Sequence, residues 1–149
     1  MKVVIQRSKN SNVEIDGKIY NEINNGLVVF SCFTEGDTIE DINYCVKKIV
    51  NLRIFDDENG VMNKSLIDIN GSILSVSQFT LYADAKKGNR PSYINALNGE
   101  KATILYDNFN EKLKEKVNVQ TGIFGAEMKV DFVNDGPVTI ILEKENDSA

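Results

Sequence analysis

Two polar islands carry the residue types in this chain that could do chemistry. Ser77-Gln78-Phe79-Thr80 follows an apolar run, and Asn134-Asp135-Gly136-Pro137 interrupts another near the end. The chain has no histidine, so any catalysis must use hydroxyls, amides and backbone groups, or borrow a group from the substrate. A threonine such as Thr80 is a weak nucleophile without a base to take its proton, and no lysine adjoins it. The island at 77–80 reads either as an ordinary strand end or as the edge of an active site, where a rigid scaffold presents side chains to solvent. The second island reads as a tight hairpin turn or as a rigid ligand-facing element. Gly136 permits close backbone approach and Pro137 fixes its own φ, while the state of the bond between them cannot be read from the pair. Arg7, at the end of an apolar strand, can meet phosphate, orient a loop or form a surface ion pair.

A net charge of -5 argues against nonspecific wrapping of long nucleic acid. It leaves room for a local grip on one RNA end. Lys86-Lys87-Gly88-Asn89-Arg90 is the best basic segment for that, with Lys47-Lys48 and Arg53 a second; ordinary surface charge is the plain alternative. Phe79, Tyr82 and Tyr93 can stack on a terminal base, although core packing is the simpler reading of Phe79. Cys32 and Cys45 lie in apolar contexts and read as buried free thiols. With two cysteines and no histidine, neither a disulfide framework nor a zinc site is expected. Asp56-Asp57-Glu58 beside Gly60 reads as a solvated turn rather than a magnesium site. Gly122-Ile123-Phe124-Gly125-Ala126 lacks the ending of a phosphate loop. No metal or cofactor is therefore expected. The longest apolar stretches fall well short of the ~20 residues that cross a bilayer, and Met1-Lys2-Val3-Val4-Ile5 reads as a strand, not a signal peptide. A cytoplasmic protein with no membrane partner follows as an expectation.

The elements that must hold these islands can be read from periodicity. Lys2–Gln6 is a strand; Val13–Asp16 alternates into an Asp16-Gly17 hairpin and Lys18-Ile19-Tyr20. Asn24-Asn25-Gly26 is a turn, and Leu27–Phe33 a buried strand. Thr38, with Asp41 in an imperfect capping box, starts a helix whose stripe is Ile39, Ile42, Cys45, Val46, Ile49 and Leu52, with Asp41, Lys47 and Lys48 pointing elsewhere. Ile73–Ser77 is a strand, on which alternation would place Ser77 and Phe79 on one face and Gln78 and Thr80 on the other. Ala83–Pro91 is a loop, and Pro91 can open a short helix. A second helix runs from about Gly99 to Val117, followed by strands at Met128–Val133 and Val138–Leu142. Residues from about 144 to 149 should fray. The whole is a single α+β domain over 1–149: an antiparallel sheet or partly closed barrel packed by two long helices.

Taken together, these segments resemble the D-aminoacyl-tRNA deacylase family. The resemblance is carried in order by Val4-Ile5-Gln6-Arg7, Gly36-Asp37-Thr38, Lys48–Phe55, Ser77–Asp84, Lys87–Pro91, Gln120–Ala126 and Asn134–Thr139, and it spans nearly the whole chain. It implies that family's fold and a homodimer with active sites at the interface. It also implies hydrolysis of the ester linking a D-amino acid to the 3′ end of tRNA, and removal of mischarged glycine. On this reading Ser77, Gln78, Phe79 and Thr80 line the catalytic site. Gly136-Pro137 is cis and enters the other subunit's pocket, selecting chirality together with Arg7 and Asn134. Lys86, Lys87 and Arg90, by the charge reading above, are the candidate tRNA contacts. Two mechanisms stay open, assistance by the 2′-hydroxyl of the terminal adenosine and covalent attack by Thr80. The competing functions are a generic small-ester hydrolase and a nucleotide or RNA-end binder. No DNA partner is expected.

Overall fold

The structure, a computed structural model, describes residues 1–144. The fraying expected over about 144–149 therefore lies outside the described residues except at Lys144, whose backbone N–H donates to Met1 O at 2.8 Å. Long strands β1 (Lys2–Ile15) and β2 (Lys18–Cys32) form a hairpin across Asp16-Gly17. Both turn residues have positive φ, 51° and 77°, as a two-residue turn matched to strand twist requires. Helix α1 (Ile39–Asn51) follows, then the short ribbon β3 (Phe55–Asp56) and β4 (Met62–Lys64). After it come β5 (Ser72–Ser77), a 3₁₀ turn over Phe79–Tyr82, helix α2 (Gly99–Lys114), β6 (Asn118–Thr121) and β7 (Lys129–Glu143).

The main sheet has the order β6-β5-β2-β1-β7. It is mixed, not antiparallel, because β5 runs parallel to both β2 and β6. A parallel neighbour needs a crossover, and α1 and α2 supply the two. The sheet ends on two edges and does not close into a barrel. Strand β6 has no counterpart in the periodicity reading, since Asn118-Val119-Gln120-Thr121 offers one buried apolar residue. Pro91 opens no helix.

The larger core lies between sheet and helices. Val3, Ile5, Leu27, Val29 and Ile73 meet Ile42, Cys45, Ile49, Tyr106, Phe109 and Leu113. The stripe expected on α1 is buried at Ile42, Cys45, Val46 and Ile49, whereas Leu52 lies just past the helix end and is half-buried, and Ile39 is 42% exposed. Asp41 is buried rather than outward, because its carboxylate accepts from the Thr38 N–H at 2.9 Å to complete the helix start. On the opposite face Val13, Ile23, Val28, Leu74 and Val76 are covered by Phe30, Met128, Val130 and Phe132 as the start of β7 curls over.

Gly26 does not turn the chain. It lies within β2 opposite Ser72 of β5, and a Cβ there would collide with the Ser72 carbonyl oxygen. Parallel pairing of β2 with β5 begins at this contact. Gly26→Ala should therefore lower stability by about 3–5 kcal/mol, read as a shifted urea midpoint. An unchanged midpoint would show that the strands can part at no cost.

Candidate active site

The carboxyl ends of β2 and β5 lie side by side, with Ser31 paired to Ser77. Open α/β sheets place ligands at such strand ends, and a cavity of about 490 Å³ occupies this one. Ser31, Cys32, Ser77, Gln78 and Phe79 form one wall, the start of α2 (Gly99, Ala102) another, and Phe124, Met128 and Val130 a third. Three members of the first island thus line a single cavity.

The chain leaves β5 at Ser77 and tightens into the 3₁₀ turn, so side chains do not alternate through residues 77–80. Gln78 N–H donates to Ser31 O at 2.8 Å, and the turn closes through Leu81 N–H to Gln78 O at 3.1 Å. The N–H groups of Phe79 and Thr80 open this turn and have no carbonyl within it to bond. N–H groups so placed can donate to an anionic oxygen. Gln78 Nε2 donates to Thr80 Oγ1 at 2.6 Å. That bond orients Thr80 but supplies no base, and Thr80 is not among the residues lining the cavity. Phe79 is not core: it is 57% exposed, and its ring meets Tyr93 edge-on at 5.0 Å between centroids. Tyr82 is buried beneath Lys2, whose Nζ lies 4.9 Å from the ring centroid.

Cys32 also lines the cavity, a residue that sequence reading treated only as a buried thiol. Its Sγ donates to Phe79 O at 3.4 Å, which ties the 3₁₀ turn to β2. Burial pushes its thiol pKa up, so it stays protonated at neutral pH and is a poor nucleophile. Burial likewise raises Cys45 to about 11. The start of α2, the Phe124 segment and the beginning of β7 were also missed, since only the crossover topology brings them to the cavity.

The second island lies elsewhere on the chain. Asn134-Asp135-Gly136-Pro137 is not a hairpin turn, for both its flanks pair with β1: Thr139 opposite Gln6 and Asn134 opposite Ser8. The four residues between bulge out against Arg7 alone, and the Gly136-Pro137 bond is cis. Arg7 Nε donates to Asp135 O at 2.9 Å and Nη1 to Ile54 O at 2.8 Å. Asn134 Oδ1 accepts from Val138 N–H at 3.1 Å. Arg7 and Asn134 therefore brace the bulge, while Gly136 and Pro137 are exposed. The bulge is not among the residues lining the cavity.

Lys86, Lys87 and Arg90 are exposed on the loop clamped by paired backbone bonds between Asp84 and Ser92, both 2.8 Å. They make no ion pair among the described residues. Asp57 accepts from the N–H groups of Asn59 and Val61, which hold its carboxyl below the usual range. Its role is to shape a turn. Among the described residues no group of three or more His, Cys, Asp or Glu side chains is placed to hold a metal. No helix there is long and apolar enough to cross a membrane.

Comparison with known proteins bears on the family and the fold. A solved structure named c-Myc DNA Unwinding Element Binding Protein matches with a TM-score of 0.92 and 40% identity, over 97% of this chain and 99% of that one. That name overturns the expectation that DNA has no place among the partners of such a chain. A second, described as a probable eukaryotic D-amino acid tRNA deacylase, shares the fold with a TM-score of 0.81 at 19% identity, over 95% of this chain and 97% of that one. The family model for D-Tyr-tRNA(Tyr) deacylase matches residues 4–143, from within β1 to the end of β7. With the hydroxyl-amide cavity and the braced bulge both inside that span, the chain belongs to the D-Tyr-tRNA(Tyr) deacylase family.

Proposed function

We propose that this protein hydrolyses the ester between a D-amino acid and the terminal adenosine of tRNA. The observation that carries the reading is the cavity at the carboxyl ends of β2 and β5. At about 490 Å³ it has room for a nucleoside between walls that are partly apolar and partly hydroxyl and amide, and beside it are two backbone N–H groups with no acceptor in their own turn. The chain's own groups bind and orient the acyl-adenosine, and the N–H groups of Phe79 and Thr80 stabilise the oxyanion. Proton transfer falls to the substrate's vicinal 2′-hydroxyl. A chain without histidine, whose Thr80 hydroxyl is held by an amide rather than a base, supports that assignment. Glycine esters on tRNA fit the same site, because a filter that rejects L side chains has nothing to reject in glycine.

Selection against L substrates is assigned to the Gly136-Pro137 bulge of a second copy. Rejection by fixed backbone works whatever the side chain, and an exposed, braced bulge outside its own protomer's cavity suits delivery across a homodimer. Purified protein should release amino acid rapidly from D-tyrosyl-tRNA and not from L-tyrosyl-tRNA. Equal release from both would make it a generic esterase.

A second reading is nucleic-acid binding without hydrolysis. The 40%-identical relative is named for binding a DNA element, and names alone favour binding over any detailed hydrolytic mechanism. Release from neither charged tRNA, with retained affinity for a DNA or RNA end, would establish it. In either reading the loop cations face phosphate. Replacing Lys86, Lys87 and Arg90 together with alanine should raise KM or Kd and cut the slope of log affinity against log salt by about 2. An unchanged slope removes them from the interface.

A further inference from the structure

Two exposed aromatic residues, Phe79 and Tyr93, line the cavity, and exposed Ile94 follows the second in the chain. Phe79 is 57% exposed, Tyr93 42% and the adjacent Ile94 85%. Single exposed apolar residues are ordinary, but contiguous ones at the rim of a site mark a contact surface. This patch is also held in place. Cys32 anchors the Phe79 carbonyl, the Asp84–Ser92 backbone pair ends one residue before Tyr93, and Ala96 N–H donates to Tyr93 O at 3.0 Å. The two rings meet edge to face, 69° apart, so each buttresses the other while still presenting surface outward.

Resting on the proposed placement of the terminal nucleoside in the cavity, we propose that Tyr93, buttressed by Phe79, is a stacking platform for the next base of the RNA, the one 5′ to the terminal adenosine. Two observations point to that occupant. The platform is continuous with the cavity, since Phe79 and Tyr93 are both lining residues and both keep exposed surface outside it, so a strand leaving the cavity on that side crosses it. The loop that delivers Tyr93 also carries the exposed cations Lys86, Lys87 and Arg90, matching the phosphates that accompany a base. Single-stranded nucleic acid is commonly held by this combination of aromatic faces and a basic track. The platform reads a base's presence and not its identity, because every base has a π-face.

The test uses a short RNA carrying a nonhydrolysable 3′-amide-linked D-tyrosine, made either with the natural penultimate nucleotide or with an abasic one. The wild-type protein should lose about tenfold in affinity on removal of that base. Tyr93→Ala should bind the natural RNA more weakly and lose little further with the abasic one, and Tyr93→Phe should restore the wild-type difference. Equal losses in wild type and Tyr93→Ala, or no loss in wild type, would overturn the platform while leaving the cavity assignment standing. Failure of the wild-type protein to bind either RNA would overturn both.

Discussion

Removing the 2′-hydroxyl of the terminal adenosine, with the amino acid on the 3′-oxygen, should slow hydrolysis by about 10²–10⁴-fold, the usual contribution of a positioned acid or base. The expectation rests on the proposed placement of the ester at the cavity and on the side chains found there. The candidate side-chain nucleophiles are disarmed: Cys32, in the cavity wall, by a burial-raised pKa; Thr80, outside that wall, by an amide donor 2.6 Å from its oxygen; and the Ser31 and Ser77 hydroxyls by a cavity lining that holds no acidic or basic side chain. What the protein does supply is a pair of backbone N–H groups, which stabilise charge but cannot carry a proton away. The companion result is that Thr80→Ala should keep activity within about tenfold of wild type, since its loss removes an orienting contact to Gln78 and leaves the backbone donors in place. Single-turnover rates with deoxy and ribo substrates decide the first. Equal rates, or collapse of activity in Thr80→Ala with an acyl-enzyme detected by mass, would return the chemistry to the threonine.

Elements set by local pattern were legible in the sequence. The Asp16-Gly17 hairpin, the capped start of α1 and the Ile42, Cys45, Val46, Ile49 stripe of α1 each arise from residues within a few positions of one another. Features set by nonlocal pairing were not. Nothing near Gly26 says that Ser72 will press against it. Asn134–Pro137 has the composition of a turn and becomes a bulge only because β1 continues past it. The 3₁₀ turn at Phe79 likewise exchanges strand alternation for backbone donors. The candidate site was half visible for the same reason. Ser77, Gln78 and Phe79 carry its polar chemistry and stand out in sequence. Ser31, Ala102, Phe124 and Met128 are ordinary apolar or small residues that parallel crossovers bring to one place.

Arg7→Ala should destabilise the protein by about 2–4 kcal/mol and, separately, erode the preference for D over L substrates by up to about 10²-fold. The stability term follows from the bonding. Arg7 has only 11% of its side chain exposed and lies 3.7 Å from Asp56 and 3.8 Å from Asp135. It donates to two carbonyls from different segments, Ile54 and Asp135. Truncation leaves both carbonyls unpaired in a partly buried place, and hydrogen bonds from charged donors are worth roughly 1.5–3 kcal/mol each. The selectivity term follows from where those bonds end. A chirality filter made of backbone discriminates by position alone, and misplacement by about 1 Å can cost 10²-fold. Arg7 Nη2 lies 2.9 Å from where a Cβ on Gly136 would sit, so the guanidinium packs directly against the bulge as well as bonding to it. Arg7→Lys should recover little of either property, because an ammonium is a point charge that cannot span two carbonyls with a planar fork. Urea unfolding and the D-to-L ratio of kcat/KM should be measured on the same preparations. A loss of stability with the ratio intact would make Arg7 a fastener of the fold only, and would place chiral rejection elsewhere than the Gly136-Pro137 bulge.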